Sequence, residues 1–248
     1  MEQILVTGGT GTLGRVIVRD LLANDASVRV LSRQATPAGA EAQWAVGDLR
    51  TGDGIDDAVA GVDTIIHCAS RRGDVESARH LLDAAKRANC SHLVFISIVG
   101  VDRIPLGYYK GKLDVERLVE TSGIPFTIVR TTQFHNLIAR LLAALARLPV
   151  MVLPAHVDFQ PIDVAEVAAR LIQLASGPPA GRVPDMGGPE IRGAKDLARS
   201  YLRASGRRRW IVSVPLPGRG FAGFRRGANL TPEHAVGLVG FDQFLATM

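Results

Sequence analysis

The stretch that most constrains this chain is its beginning. Ile4, Leu5 and Val6 form a short apolar run suited to a parallel strand buried on both faces. Gly8, Gly11 and Gly14 follow at even spacing, and Leu13, Val16, Ile17, Leu21 and Leu22 then mark one face of a helix. Strand, glycine turn and helix in that order leave few folds open. Gly8 permits a tight turn, Gly11 lets an anion approach the backbone, and Gly14 lets the helix sit close to the strand. The helix N-terminus then offers unpaired N–H groups and a positive dipole end to a phosphate. The spacing is G-x-x-G-x-x-G, not the commoner G-x-G-x-x-G of dinucleotide-binding turns.

The rest of the chain repeats the alternation. Strands are expected at 27–33, 42–46, 62–70 with its exit, 92–97 and 125–130, and helices at 56–59, 76–89 and 109–122. Such alternation predicts right-handed βαβ units in a Rossmann-type α/β fold. Its doubly wound parallel sheet carries helices on both faces. Past residue 133 the rhythm changes. A leucine- and alanine-rich helix is expected over 134–148 and another over 161–175, with short strands and helices over 183–248. That tail is too short for a full second core. The expectation is one domain over 1–248, in which residues 150–160 and 183–248 form a small C-terminal substrate-binding cap.

Composition narrows the function. Cys68 and Cys90 make neither a disulfide framework nor a metal pattern. No metal site is expected, and the cysteine usage fits a reducing cytosol. Met1 leads directly into a strand, so no leader is expected and the expected localisation is cytoplasmic. The longest apolar stretch, 137–153, carries Arg140, Arg147 and Pro149, too short and too charged to span a membrane. Residues 1–181 hold 18 Lys/Arg against 19 Asp/Glu, whereas 182–248 hold 11 against 5. The run Arg207-Arg208-Arg209-Trp210 and the pair Arg225-Arg226 invite a nucleic-acid reading. Aromatic residues are sparse, however, and no groove-reading motif is present. A cationic cap over an anionic cofactor or an acidic substrate accounts for the same charge, and no nucleic-acid or membrane partner is expected.

The end of the second strand bears on cofactor choice. An acidic residue there would accept hydrogen bonds from the ribose of NAD(H). This chain has Ser32 and Arg33, with Arg15 just after the glycine turn. An arginine fork suits a 2′-phosphate, which favours NADP(H). Asp48, at the end of the third strand, belongs in the ligand crevice. His67, inside a buried run, reads as a hydrogen-bonded core histidine. Asp163 and Glu166 suit the positive end of their helix.

On these motifs the chain resembles the atypical short-chain dehydrogenase/reductase superfamily, in its NmrA-like branch. The resemblance rests on Thr7–Gly14, Gly47-Asp48-Leu49, Tyr108 with Lys112 and Glu116, residues 123–130, and residues 159–167. Further phrases at 187–190 and 229–245 add to it. It implies an NAD(P)-binding Rossmann fold and a C-terminal substrate region. It also implies that Gly8, Thr10, Gly11, Thr12, Leu13 and Gly14 form the phosphate turn. Asp48 and Leu49 would flank the adenine, Ala69 and Ser70 would follow a backbone contact to the cofactor, and Lys112 would bind the nicotinamide ribose. Thr131, Gln133, Phe134 and His135 would lie near the nicotinamide, the last three lining a substrate pocket.

Tyr108 and Lys112 have the superfamily's Y-x-x-x-K spacing, which puts them on one helix face. The tyrosine would donate a proton, the lysine would lower its pKa, and Ser97 would hydrogen-bond the reacting oxygen. Two functions follow. One is an NADP-dependent reductase of a small organic carbonyl or enone, acting as a monomer or homodimer. The other is a non-catalytic NAD(P)(H)-sensing regulatory protein.

Overall fold

Buried aliphatic runs become strands, and amphipathic segments between them become the helices that cover them. The computed structural model describes residues 2–35, 37–69 and 74–248. The chain runs β1 (Gln3–Thr7), α1 (Thr12–Leu22), β2 (Ser27–Ser32), β3 (Gln43–Val46), α2 (Ile55–Val59), β4 (Thr64–His67) and α3 (Asp74–Arg87). It continues through β5 (His92–Ile98), α4 (Gly107–Thr121), β6 (Phe126–Thr131), α5 (His135–Leu145), β7 (Val150–Pro154), β8 (Asp158–Phe159) and α6 (Val164–Ala175). Last come β9 (Gly181–Arg182), β10 (Arg192–Gly193), α7 (Ala194–Ala204), β11 (Trp210–Val214), α8 (Arg219–Arg225) and α9 (Phe241–Ala246).

Seven strands form a parallel sheet in the order β3-β2-β1-β4-β5-β6-β9. The order turns back between β1 and β4, which is where doubly wound sheets receive their ligands. The chain divides into two compact units, one of residues 1–97, 111–129 and 167–183, the other of 98–110, 130–166 and 184–248.

The first unit holds most of the sheet. Leu5 stands beside Ile65, and Ile65 beside Leu93, in register across three strands. Because strand side chains alternate, one face carries Leu5, Leu31, Ile65, Leu93, Phe95 and Ile128. Helices α2, α3 and α4 cover that face through Ile55, Leu81, Ala85, Val115 and Val119. The opposite face carries Val6, Val28, Val30, Ile66 and Val94, all buried. Against it lies α1, whose Val18 borders Gly9 together with Val30 of β2.

The second unit has a core of its own. Ile138, Ala139 and Leu142 of α5, Met151 and Leu153 of β7, Leu197 and Tyr201 of α7, and Phe241 and Phe244 of α9 make it. The tail does not build this core alone; α5 and β7 complete it. Strand β7 was not expected. The helical pattern is interrupted by Pro149, which cannot continue a helix. Helix α5 ends at Leu145, and residues 150–154 pair in parallel with β11. Asp163 caps α6, its carboxylate accepting the Ala165 N–H at 2.7 Å. Glu166 instead ties down the C-terminal segment, accepting the N–H groups of Leu238 (2.6 Å) and Val239 (3.2 Å).

Phe241 is fully buried in the second core. Phe241→Ala is expected to cost about 3–5 kcal/mol, read as a lowered urea midpoint for the second unit's signal.

Candidate functional site

The glycine turn is fixed by close packing. Gly8 has φ +72°, and a Cβ there would lie 2.8 Å from the Ala69 nitrogen. A Cβ on Gly14 would lie 2.2 Å from the Gly8 oxygen. Helix α1 starts on Gly11, which offers no side-chain cap, and its first turn contains no acidic residue. The Arg15 N–H donates to the Gly11 carbonyl at 3.0 Å. The amides of Thr12, Leu13 and Gly14 precede that bond and have no carbonyl within the helix to reach. Thr10, Gly11 and Thr12 are exposed. An uncapped helix start with open amides and no competing carboxylate fits a pyrophosphate.

Neighbouring turns present the rest of a nucleotide site. At the end of β2 the Ser32 hydroxyl accepts the Gln34 N–H (3.1 Å), and no carboxylate occupies the position. Arg15 and Arg33 are exposed, and neither makes an ion pair among the described residues. After β3, the Asp48 carboxylate accepts the Arg50 N–H at 2.9 Å. The Leu49 carbonyl accepts from His80 Nδ1 at 2.8 Å. Asp48 and Leu49 are thereby held in one turn, with His80 as a support that the sequence pattern did not single out. Ser70 lies outside the described residues.

Beside the turn is a buried polar group. The Thr7 hydroxyl and His67 Nδ1 are hydrogen-bonded at 2.7 Å, joining the exits of β1 and β4. The His67 ring stacks on Phe95, with centroids 5.5 Å apart. Over Phe95 lies Lys112 of α4, its Nζ 4.8 Å from the ring centroid and the residue only 3% exposed. Burial, then the Lys112 charge, pushes His67 down to about 3. Burial pushes the Cys68 thiol up to about 12, and Lys112 opposes that shift. The ammonium thus stands beside an imidazole and a thiol that both stay neutral at ordinary pH. Ser97, at the end of β5, is buried, and its hydroxyl has no hydrogen-bond partner among the described residues.

Helix α4 begins at Gly107, two residues earlier than expected, so Tyr108 lies in its first turn. Tyr108 is 53% exposed, its ring edge-on to Tyr109. Tyr109 is the buried tyrosine, its hydroxyl pushed up to about 12 by burial, while the neighbouring Gln133 amide acts the other way. Gln133 approaches that hydroxyl without reaching hydrogen-bond geometry, and both its amide atoms are buried and without a partner among the described residues. Thr131 is buried, its carbonyl accepting the Val99 N–H. Phe134 is half-buried and starts α5.

His135 departs from the expected pocket role. It is fully buried and donates Nε2–H to the Val239 carbonyl at 2.9 Å. It stacks on Phe244, so it belongs to the aromatic core of the second unit.

A family profile described as NAD(P)H-binding matches residues 8–174, more than half of the chain. The chain belongs to this NAD(P)H-binding family. The matched span contains the glycine turn, Gly47-Asp48-Leu49 and the Tyr108/Lys112 pair, on which the resemblance to the atypical short-chain dehydrogenase/reductase superfamily rests. It is similar to the photosystem II assembly factor Ycf39 of Trieres chinensis, at 30% identity over 195 residues. That match covers 69% of this chain, and the chain spans 60% of the length of that relative. It is 27% identical over 218 residues to quinone oxidoreductase 2 of Escherichia coli, covering 83% of this chain and 75% of the relative. Its fold matches the crystal structure of E. coli NADPH-dependent quinone oxidoreductase QOR2 complexed with NADPH. The TM-score is 0.85 at 18% identity, and the match covers 99% of each chain. No helix among the described residues is long and apolar enough to cross a membrane. Among those residues no group of three or more His, Cys, Asp or Glu could hold a metal ion.

The depressed His67 pKa has a thermodynamic consequence. Between its folded value near 3 and the unfolded value of 6.5, the unfolded chain binds the extra proton. Stability from this group is complete above pH 6.5 and is lost as pH falls toward 3, by at most about 1.4 kcal/mol per pH unit. His67→Gln is expected to flatten the fall in unfolding free energy between pH 6.5 and 4, measured by urea denaturation at each pH.

Proposed function

We propose that this chain is an NADP(H)-dependent oxidoreductase acting on a small organic carbonyl or enone. The observation that carries the reading is Lys112, a buried ammonium beside the exits of β4 and β5, in the unit that also holds the uncapped glycine turn. Gly8, Thr10, Gly11, Thr12, Leu13 and Gly14 would hold the pyrophosphate. Arg15, Ser32 and Arg33 would take the 2′-phosphate, Asp48 and Leu49 the adenine, and Ala69, Lys112 and Thr131 the nicotinamide side. Bound there, the nicotinamide supplies the hydride chemistry.

The chain's own groups do the rest. Lys112 would provide a positive charge beside the Phe95 ring and the neutral His67 and Cys68, where it favours an oxygen gaining negative charge. Tyr108, four residues earlier on α4, donates the proton. Ser97 offers its unsatisfied hydroxyl to the substrate oxygen. Gln133, with an unsatisfied buried amide, orients the substrate, since a buried polar group is ordinarily paired. The E. coli relative named a quinone oxidoreductase supports a conjugated dione as the acceptor.

A second reading, an NAD(P)(H)-responsive regulatory protein, draws support from the exposure of Tyr108 and from the relative named as an assembly factor. The two are separated by following NADPH oxidation against a panel of quinones and enones. The enzyme reading expects turnover, with kcat falling about 100-fold or more in Tyr108→Phe and Lys112→Ala. Tight NADPH binding with no turnover across the panel would leave the regulatory reading. For the cofactor, Arg33→Ala is expected to weaken NADPH binding about tenfold or more while leaving NADH unchanged, read by calorimetry.

A further inference from the structure

Two segments of the second unit contain no acidic residue: 131–157 and 197–232. Together they hold ten arginines and no lysine. The parallel pairing of β7 with β11 joins them, with Val150 opposite Trp210 and Val152 opposite Val212. Strand alternation then sorts the side chains. Met151, Leu153 and Ile211 pack into the core of this unit, whereas Val150, Val152, Trp210 and Val212 face outward. Trp210 is 79% exposed and Val152 50%, and Leu148 is exposed just before β7. In a parallel pair both strands start at the same end. Arg147 before β7 and Arg207, Arg208 and Arg209 before β11 therefore gather at that end. Arg209 Nε donates to the Ala146 carbonyl at 2.9 Å, fixing the junction. All four arginines are exposed and make no ion pair among the described residues. Here an exposed apolar sheet face carries a tryptophan and is bordered by cations on segments that contain no carboxylate.

We propose that this face is a docking surface for an anionic phospholipid membrane. Exposed aliphatic side chains with a tryptophan suit the boundary between headgroups and acyl chains. Arginine forks pair with phosphate oxygens, and a cationic rim is drawn to anionic leaflets. Attachment is in the plane of the membrane, since no described helix is long and apolar enough to cross it. A second copy of the chain fits less well, because an isologous contact sets the patch against itself and neither segment supplies a carboxylate.

The test is flotation of the full chain with vesicles of equal phosphatidylglycerol and phosphatidylcholine, or of phosphatidylcholine alone, at low and high salt. The proposal expects flotation with the anionic vesicles at low salt. It also expects that partition to fall about tenfold or more in Trp210→Ser and in Arg207→Ser/Arg208→Ser, with melting temperature and NADPH binding unchanged. Four results overturn it: no flotation with anionic vesicles, equal flotation with neutral ones, variants that float like the parent, or capture by polyglutamate that displaces the vesicles. Vesicle-free self-association that Trp210→Ser abolishes also overturns it, in favour of a dimer.

Discussion

The contact on which the first unit depends is the seating of α1 against the turn that follows β1. A methyl group on Gly14 would fall 2.2 Å from the Gly8 oxygen, so only glycine lets the helix start so close to the strand. The N-cap residue is Gly11, so the α1 N-terminus has no side-chain cap, and its first turn carries no acidic residue. Open amides and a positive dipole end then occupy the switch point of a parallel sheet, where a negative ligand is the natural complement. The family membership and this geometry agree on what that ligand is.

The second determinant is where charge is allowed to remain. Beside Lys112, burial holds His67 neutral by a lowered pKa and Cys68 neutral by a raised one. The Thr7–His67 hydrogen bond also ties together the exits of the two strands that border the switch point. One imidazole therefore serves packing and electrostatics without itself becoming a proton carrier.

Much of this was legible in the chain. The glycine turn, the six main strands and the helices between them follow from hydrophobic period and turn chemistry, with boundaries shifting by one to three residues. What escaped depends on contacts distant in sequence. The Thr7–His67 pair joins residues 60 apart, and Glu166 reaches residues 72 and 73 positions away. The pairing of β7 with β11 brings together segments 60 residues apart, and the leucine-rich pattern that runs into β7 reads as helix until that pairing is seen. His135 reads as a polar site residue from its place after β6. Only the aromatic cluster from the end of the chain shows it to be packed inside. Of the paired tyrosines, the Y-x-x-x-K spacing singles out Tyr108, whereas Tyr109 is the one enclosed.

The central claim is that the α1 N-terminus holds the phosphates of one nicotinamide dinucleotide. It is tested most directly by titrating NADPH into the protein and following nicotinamide fluorescence, for the parent chain and for Gly11→Asp. Gly11 is exposed, and a carboxylate at that position would compete with the phosphates for the open amides. One NADPH per chain is expected to bind saturably, and the variant is expected to lose that binding. Equal binding by both, or none by the parent, would contradict the claim.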